Sequence, residues 1–261
     1  MYYSSSFSVL PCGPAPRSPA LSPQGERGHT CYPHNHSGVK SIDLVFPTGL
    51  CGVIRTDNAD TAFQACLAAI EGGIGTVEVT TTVPSWYEII RGLIGTTLGK
   101  IPIGVGTVWD PGAVGEAKEA GADFVVTPVV LPEVAEACRK HDILCVLGAL
   151  TPTEIYHARL AGANLVKVFP VGPVGGPEYI RALQGPMGGV PLWASGGVEI
   201  AQIPAYLRLG VKAVGLTGAL FPAEALAHRD MAAIHERASR AAHAAAAARA
   251  GSGVTASRPT P

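Results

Sequence analysis

Charge and aromatic rings are scarce in this sequence, and it has no C-x-x-C pair. Only 15% of its 261 residues are Asp, Glu, Lys or Arg, only 6% are Phe, Trp or Tyr, and the formal net charge is −1. A chain so near neutrality has no long-range field with which to gather nucleic acid or an anionic membrane surface, so neither is an expected partner. No apolar run reaches the length needed to cross a bilayer. The six cysteines (Cys12, Cys31, Cys51, Cys66, Cys138, Cys145) lack metal-ligand spacing, and several lie inside apolar runs such as Leu144-Cys145-Val146, where Cys packs as a small hydrophobe. A reducing compartment, without structural disulfides or a zinc site, is the expectation. Apolar residues are plentiful at 47%, which predicts a large buried core in a chain sized for one large domain or two small ones.

Residues 1–45 are expected to form a leader outside that core. As far as Ser41 the chain is rich in Ser, Pro, His and Gly, Glu26 is its one acidic residue, and it shows neither a hydrophobic period nor the apolar centre of a secretory signal. Serine-rich, acid-poor leaders serve as organelle transit peptides, so a plastid stroma stands beside the cytoplasm as an expected location; a disordered extension has the same composition. Cys31, His34 and His36 can be drawn as metal ligands, but a flexible segment without a fourth partner makes a poor site. At the other end, residues 229–261 are expected to form an Ala-rich, solvated helix end and, from Gly251, a disordered tail, because Ala241–Ala250 offers little to pack with.

Between Gly49 and Pro222 a rhythm holds. Apolar runs at Leu50–Ile54, Gly75–Val79, Ile101–Val105, Asp123–Thr127, Ile143–Leu147, Asn164–Val168, Val190–Ala194 and Ala213–Leu216 read as buried strands. Helical patterns lie between them, among them Asp60–Ile70, Ser85–Leu93, Pro111–Ala120, Leu131–Lys140, Thr153–Ala161 and Ile200–Leu209. Alternating strands and helices predict a parallel sheet, and eight units in so short a span predict a small α/β barrel of the (β/α)8 TIM type over residues 46–228. A doubly wound open sheet is the competitor, but no G-x-G-x-x-G follows the first strand.

In such a barrel the reacting groups come from the C-terminal ends of the strands. Lys167 sits near the end of the sixth run, on the side shared by Leu165 and Phe169. An unpaired ammonium on an apolar face is costly, and the usual escape is loss of the proton, which leaves an amine nucleophilic toward carbonyl carbon. The plainer reading is a lysine ion-paired inside the fold or reaching for solvent. Parity turns Val77 and Val79 toward the helices and puts Glu78, with Thr80, inside the barrel. Thr107 closes the third run, on the face of Ile103 and Val105, and Pro128 closes the fourth. Glu78 is either a carboxylate balancing a core lysine or the proton carrier that Schiff-base chemistry requires. Ser195-Gly196-Gly197, leading into a helix, and Thr217-Gly218 follow strands seven and eight, where backbone N–H groups and helix N-termini form phosphate sites in this fold.

The ordered set V-E-V-T at Glu78, G-V-G-T-V through Thr107, Thr127-Pro128, V-K-V-F-P around Lys167 and A-S-G-G-V at Ser195 resembles the KDPG/KHG aldolase family. These are class I aldolases of 2-keto-3-deoxy-6-phosphogluconate, its galactonate relative, or 4-hydroxy-2-oxoglutarate. The resemblance implies that Lys167 forms the Schiff base and Glu78 shuttles protons. It puts Thr107 and Pro128 in the pyruvoyl pocket, Phe169 beside the lysine, and Ser195, Gly196, Gly197 and Gly218 on the phosphate. It also implies a small-molecule 2-keto acid substrate, no metal, no cofactor and a homotrimer. The chain departs from the family pattern at Thr82, where many members carry Arg, at Val129, and at Gly218. Arg55, at the end of the first strand, is expected to supply the missing charge. Two alternatives stay open: another phosphate-binding barrel enzyme, such as an epimerase or a thiamine-phosphate-synthase-like transferase, and a barrel that binds a metabolite without turning it over.

Overall fold

In the computed structural model, which describes residues 38–250, the eight apolar runs pair in parallel and close on themselves. The strands are β1 (Leu50–Ile54), β2 (Val77–Thr80), β3 (Ile103–Gly106), β4 (Phe124–Val126), β5 (Leu144–Ala149), β6 (Leu165–Val168), β7 (Leu192–Ser195) and β8 (Ala213–Leu216). Every expected strand forms, and β8 pairs back onto β1 with Cys51 opposite Gly215. The leader up to residue 37, with Cys31, His34 and His36, and the tail from residue 251 lie outside the described residues.

The helices are α1 (Ile42–Val45), α2 (Ala59–Glu71), α3 (Trp86–Thr97), α4 (Gly112–Ala120), α5 (Pro132–Lys140), α6 (Pro152–Leu160), α7 (Pro177–Met187), α8 (Ile203–Arg208), α9 (Ala223–Ala227) and α10 (Met231–Ala250). Their starts follow local chemistry. The Asn58 side chain caps α2 by accepting from the Thr61 N–H at 2.8 Å, and Thr151 with Glu154 forms a reciprocal capping box on α6. Two apolar layers result. The outer one, including Val77, Val79, Ile103 and Val105, lies between strands and helices; the inner one joins Cys51, Val53, Phe124, Val126, Leu144, Val146, Leu165 and Trp193 inside the barrel.

Three features differ from the sequence expectation. Residues 42–45, assigned to the leader, form α1, which with Phe46 plugs the N-terminal end of the barrel. Val45 and Phe46 join the inner layer, and the Thr76 hydroxyl donates to the Val45 carbonyl at 2.6 Å. Ion pairs Lys40–Asp123 and Asp43–Lys212 tie the plug to the barrel. Between β6 and β7 the chain forms α7, whose Pro177, Gly185 and Pro186 hide it from helix patterns. The largest correction concerns the C-terminal helix. It breaks between α9 and α10, and α10 is not a solvated end: Ile234, Ala238, Ala241, Ala245 and Ala248 are buried as it packs on α2 and α8.

Small side chains explain that packing, because they let backbones approach closely. A Cβ placed on Gly72, at the end of α2, would lie 2.5 Å from Cβ of Ala238. Alanine spacing therefore marks an interface here rather than a solvated helix. Ala238→Leu is expected to cost about 1–3 kcal/mol through overpacking. At about 2–4 °C per kcal/mol for a domain of this size, a calorimetric scan reads this as a lowered Tm. An unchanged midpoint would mean that α10 does not press on α2.

Candidate active site

Lys167 and Glu78 meet inside the C-terminal end of the barrel. Nζ lies 3.4 Å from Oε1 and 3.3 Å from Oε2 of Glu78, and the side chains are 9% and 0% exposed. Neither group reaches the other along the chain; barrel closure brings them together, since β2 and β6 are four strands apart. The strand beside Glu78 makes room for it. Gly104 and Gly106 face inward on β3, and a Cβ on Gly106 would lie 1.7 Å from Glu78 Oε1. A Cβ on Gly104 would meet the Phe124 ring at 2.4 Å. The G-V-G run is thus a pair of absences, one filled by a carboxylate and the other by an aromatic ring.

Thr107 reaches the mouth by a different route from the expected one. Ile103 and Val105, which should share its face, point outward into the layer under the helices. Thr107 escapes that parity because its backbone turns left-handed, at φ 59°, a conformation unusual for a β-branched residue. The Thr81 hydroxyl donates to its carbonyl at 2.8 Å, and Arg55 Nη2 donates to its Oγ1 at 3.0 Å. Arg55 and Thr107 are therefore together at the mouth. Thr82 is exposed, and its hydroxyl lies 2.8 Å from that of Thr80, which donates to the Ile54 carbonyl. Pro128 follows β4, where the Thr127 hydroxyl donates to the Val129 carbonyl at 2.5 Å. Phe169 directly follows β6 and precedes a cis Phe169–Pro170 peptide, with its ring 5.7 Å from Lys167 Nζ.

Beneath the pair lies a floor that pattern reading did not single out. Trp193 neighbours Lys167 across the β6–β7 ladder, and its ring centroid is 5.0 Å from Nζ. Strand parity alone could have placed it inside. Cys51 also faces inward, and burial, reinforced by the Glu78 carboxylate, pushes its thiol well above the ordinary range. It stays protonated and is no competing nucleophile. Among the described residues no group of three or more His, Cys, Asp or Glu is placed to hold a metal ion.

The loops after β7 and β8 differ in detail from the sequence picture. Gly196 and Gly197 both turn left-handed, at φ 84° and 75°. No acceptor among the described residues takes the N–H of Gly196, Gly197 or Gly218. The Ser195 side chain, 1% exposed, faces inward beside Gly215, so glycine amides rather than its hydroxyl front the loop. The loop leads into a 3-10 turn at Ile200–Gln202 and then the short α8, so loop amides carry any anion site. A cavity of about 440 Å³ at the opposite end, between Ile42 and α5–α6, holds none of these residues.

Comparison with known proteins points one way. The KDPG and KHG aldolase family model matches residues 45–237. A 2-dehydro-3-deoxy-6-phosphogalactonate aldolase of Escherichia coli K12 is 30% identical over 175 residues, spanning 67% of this chain and 85% of the relative. A KHG/KDPG aldolase of the same strain is 30% identical over 193 residues, or 73% and 89%. Among solved structures, the KDPG aldolase of Legionella pneumophila, with pyruvate captured at low pH as a covalent carbinolamine intermediate, has a TM-score of 0.69 at 28% identity. That match covers 77% of this chain and 97% of the other.

The crowding at β3 can be tested directly. In Gly106→Ala the added methyl occupies the place of Glu78 Oε1. Turnover that needs a carboxylate beside Lys167 is expected to fall by about 10²–10⁴, the usual worth of a positioned proton carrier. Near-normal turnover in the variant would show that the pair is structural only.

Proposed function

The chain belongs to the KDPG and KHG aldolase family, and from that premise we propose that Lys167 is the Schiff-base lysine, with Glu78 as its proton carrier, of a class I aldolase. The reaction is the reversible cleavage of a 2-keto-3-deoxy-6-phospho sugar acid to pyruvate and glyceraldehyde 3-phosphate. The observation that carries the reading is the buried Lys167–Glu78 pair, 3.3 Å apart inside the C-terminal end of the barrel.

Each step has a group to serve it. Proton transfer to Glu78 frees the Lys167 amine, which attacks the C2 carbonyl to give a carbinolamine. Glu78 returns the proton to the departing hydroxyl, water leaves, and an iminium forms. Glu78, again a carboxylate, takes the C4 hydroxyl proton as the C3–C4 bond breaks. Its electron pair neutralises the iminium as an enamine, and the aldehyde departs. Glu78 then delivers a proton to C3, and water hydrolyses the resulting iminium to pyruvate and free lysine. Thr107, Pro128 and Phe169 line the pyruvoyl end. Arg55, hydrogen-bonded to Thr107, supplies the positive charge that Thr82 does not. An epimerase or transferase reading gives the buried amine no task, and a purely binding barrel has no use for an ionised pair that is costly to bury.

The phosphate end falls to the amides of Gly196, Gly197 and Gly218, with Thr217 beside them and Ser195 behind. We place the protein in sugar-acid breakdown of the Entner–Doudoroff kind, in a reducing compartment, cytoplasm or plastid stroma, where the buried free thiols Cys51, Cys66, Cys138 and Cys145 stay reduced. A homotrimer accords with exposed apolar side chains such as Trp109 (58%) and Tyr156 (51%).

Borohydride reduction in the presence of pyruvate is expected to leave a stable adduct on Lys167. Lys167→Arg keeps the charge but forms no imine, so peptide mapping that finds an adduct in that variant, or on another lysine, would refute the assignment. The phosphate site has its own test. A Cβ on Gly218 meets nothing within 4 Å, so Gly218→Asp adds a carboxylate without a clash. Loss of a charge-assisted contact of a few kcal/mol predicts a fall in kcat/KM of about tenfold to a hundredfold for the 6-phosphorylated substrate. Unphosphorylated 4-hydroxy-2-oxoglutarate is expected to be nearly unaffected, and equal losses on both would remove the phosphate from these loops.

A further inference from the structure

Resting on the aldolase reading, we infer that Trp193 is a positioning residue for the reaction: its indole face seats the Lys167 nitrogen while Glu78 attends to the substrate. The two side chains are neighbours in the β6–β7 ladder, and Nζ lies 5.0 Å from the ring centroid, closer than the 5.7 Å to Phe169. The two rings differ in setting, for Phe169 is 40% exposed and Trp193 is 0%. Only Trp193 offers a face withdrawn from water, where attraction between a cation and a ring is strongest.

The need for such a partner arises from the mechanism. The nitrogen is cationic as ammonium and again as iminium before and after C–C cleavage. Glu78 is its counter-charge only when ionised and within reach, and each proton it carries to or from substrate takes away the charge, the contact, or both. A ring face neither titrates nor leaves.

Trp193 is itself held from below. It packs on Phe46 at 5.3 Å and Phe124 at 6.2 Å, which lie 5.1 Å from each other. Gly215 leaves room for its edge, since a Cβ there would lie 2.6 Å from Nε1. The buried indole N–H meets no acceptor among the described residues. An unsatisfied N–H is a cost that Phe or Leu would avoid if the position only filled space. What tryptophan adds is the most electron-rich face, under the one lysine that needs it.

The test compares wild type, Trp193→Leu, Trp193→Phe and Val146→Ala in aldol cleavage. Val146 belongs to the same inner layer and makes none of the ring contacts that hold Trp193, so its variant reports packing alone. Trp193→Leu is expected to lose about tenfold or more in kcat with a smaller change in KM. Trp193→Phe is expected to recover most of the loss, and Val146→Ala to stay near wild type. A second readout works without mutating the site. With Trp86 and Trp109 replaced by Phe, Trp193 is the sole indole, and its emission is expected to change on adding pyruvate and to remain changed after borohydride reduction. Equal losses in Trp193→Leu and Val146→Ala, no rescue by Phe, or unchanged emission would overturn the inference. Failure of wild type to trap pyruvate would instead overturn the aldolase reading.

Discussion

A lysine and a glutamate side chain, 3.3 Å apart and almost wholly out of water, are the constraint around which this barrel is arranged. Desolvating two charges costs several kcal/mol per ion, and their attraction offsets that only with good geometry. For stability alone, apolar residues of similar volume would do as well or better. The pair is therefore evidence of use. It also dictates the surroundings: an inward glycine on β3 to admit the carboxylate, an aromatic floor under the amine, and a neighbouring thiol that burial keeps neutral.

The closed barrel suits this requirement better than loops could. Lys167 and Glu78 stand on strands whose backbone bonds are satisfied on both sides, so their Cα positions are set by the whole sheet. The groups proposed to meet the rest of the substrate sit just beyond the strand ends. Thr107 gets there through a left-handed residue pinned by Thr81 and Arg55, and Gly196-Gly197 through two successive left-handed turns. At the glycines this conformation costs little, whereas at Thr107 it costs energy locally and persists because neighbours hold it.

Much of this was legible from residues alone, for identifiable reasons. Strands buried on both faces read as continuous apolar runs, so all eight were found, and an odd polar residue in such a run, Lys167 or Glu78, stands out. What escaped notice carries weak local signals. The plug α1 is four residues long, too short for any period. The interface made by α10 is built of alanine, which looks the same on a solvated helix and on a tightly packed one. Thr107 broke the alternation used to place it, because parity ends where φ changes sign. Trp193 looked like one more apolar residue in a strand; only the register of β7 against β6 shows whose neighbour it is.

That division bears on how the chain departs from its family. Thr82, Val129 and Gly218 all lie in loops beyond strand ends, whereas Glu78, Lys167 and the inward glycines of β3 lie on strands. A change in a mouth loop alters which anion or hydroxyl is met, at a cost confined to that loop. A change on a strand disturbs two ladders, and at Gly106 it displaces the carboxylate itself. The strand-borne Lys167–Glu78 pair is therefore what this architecture holds firmly, while the proposed substrate contacts, Arg55 and the glycine amides after β7 and β8, lie in the mouth loops.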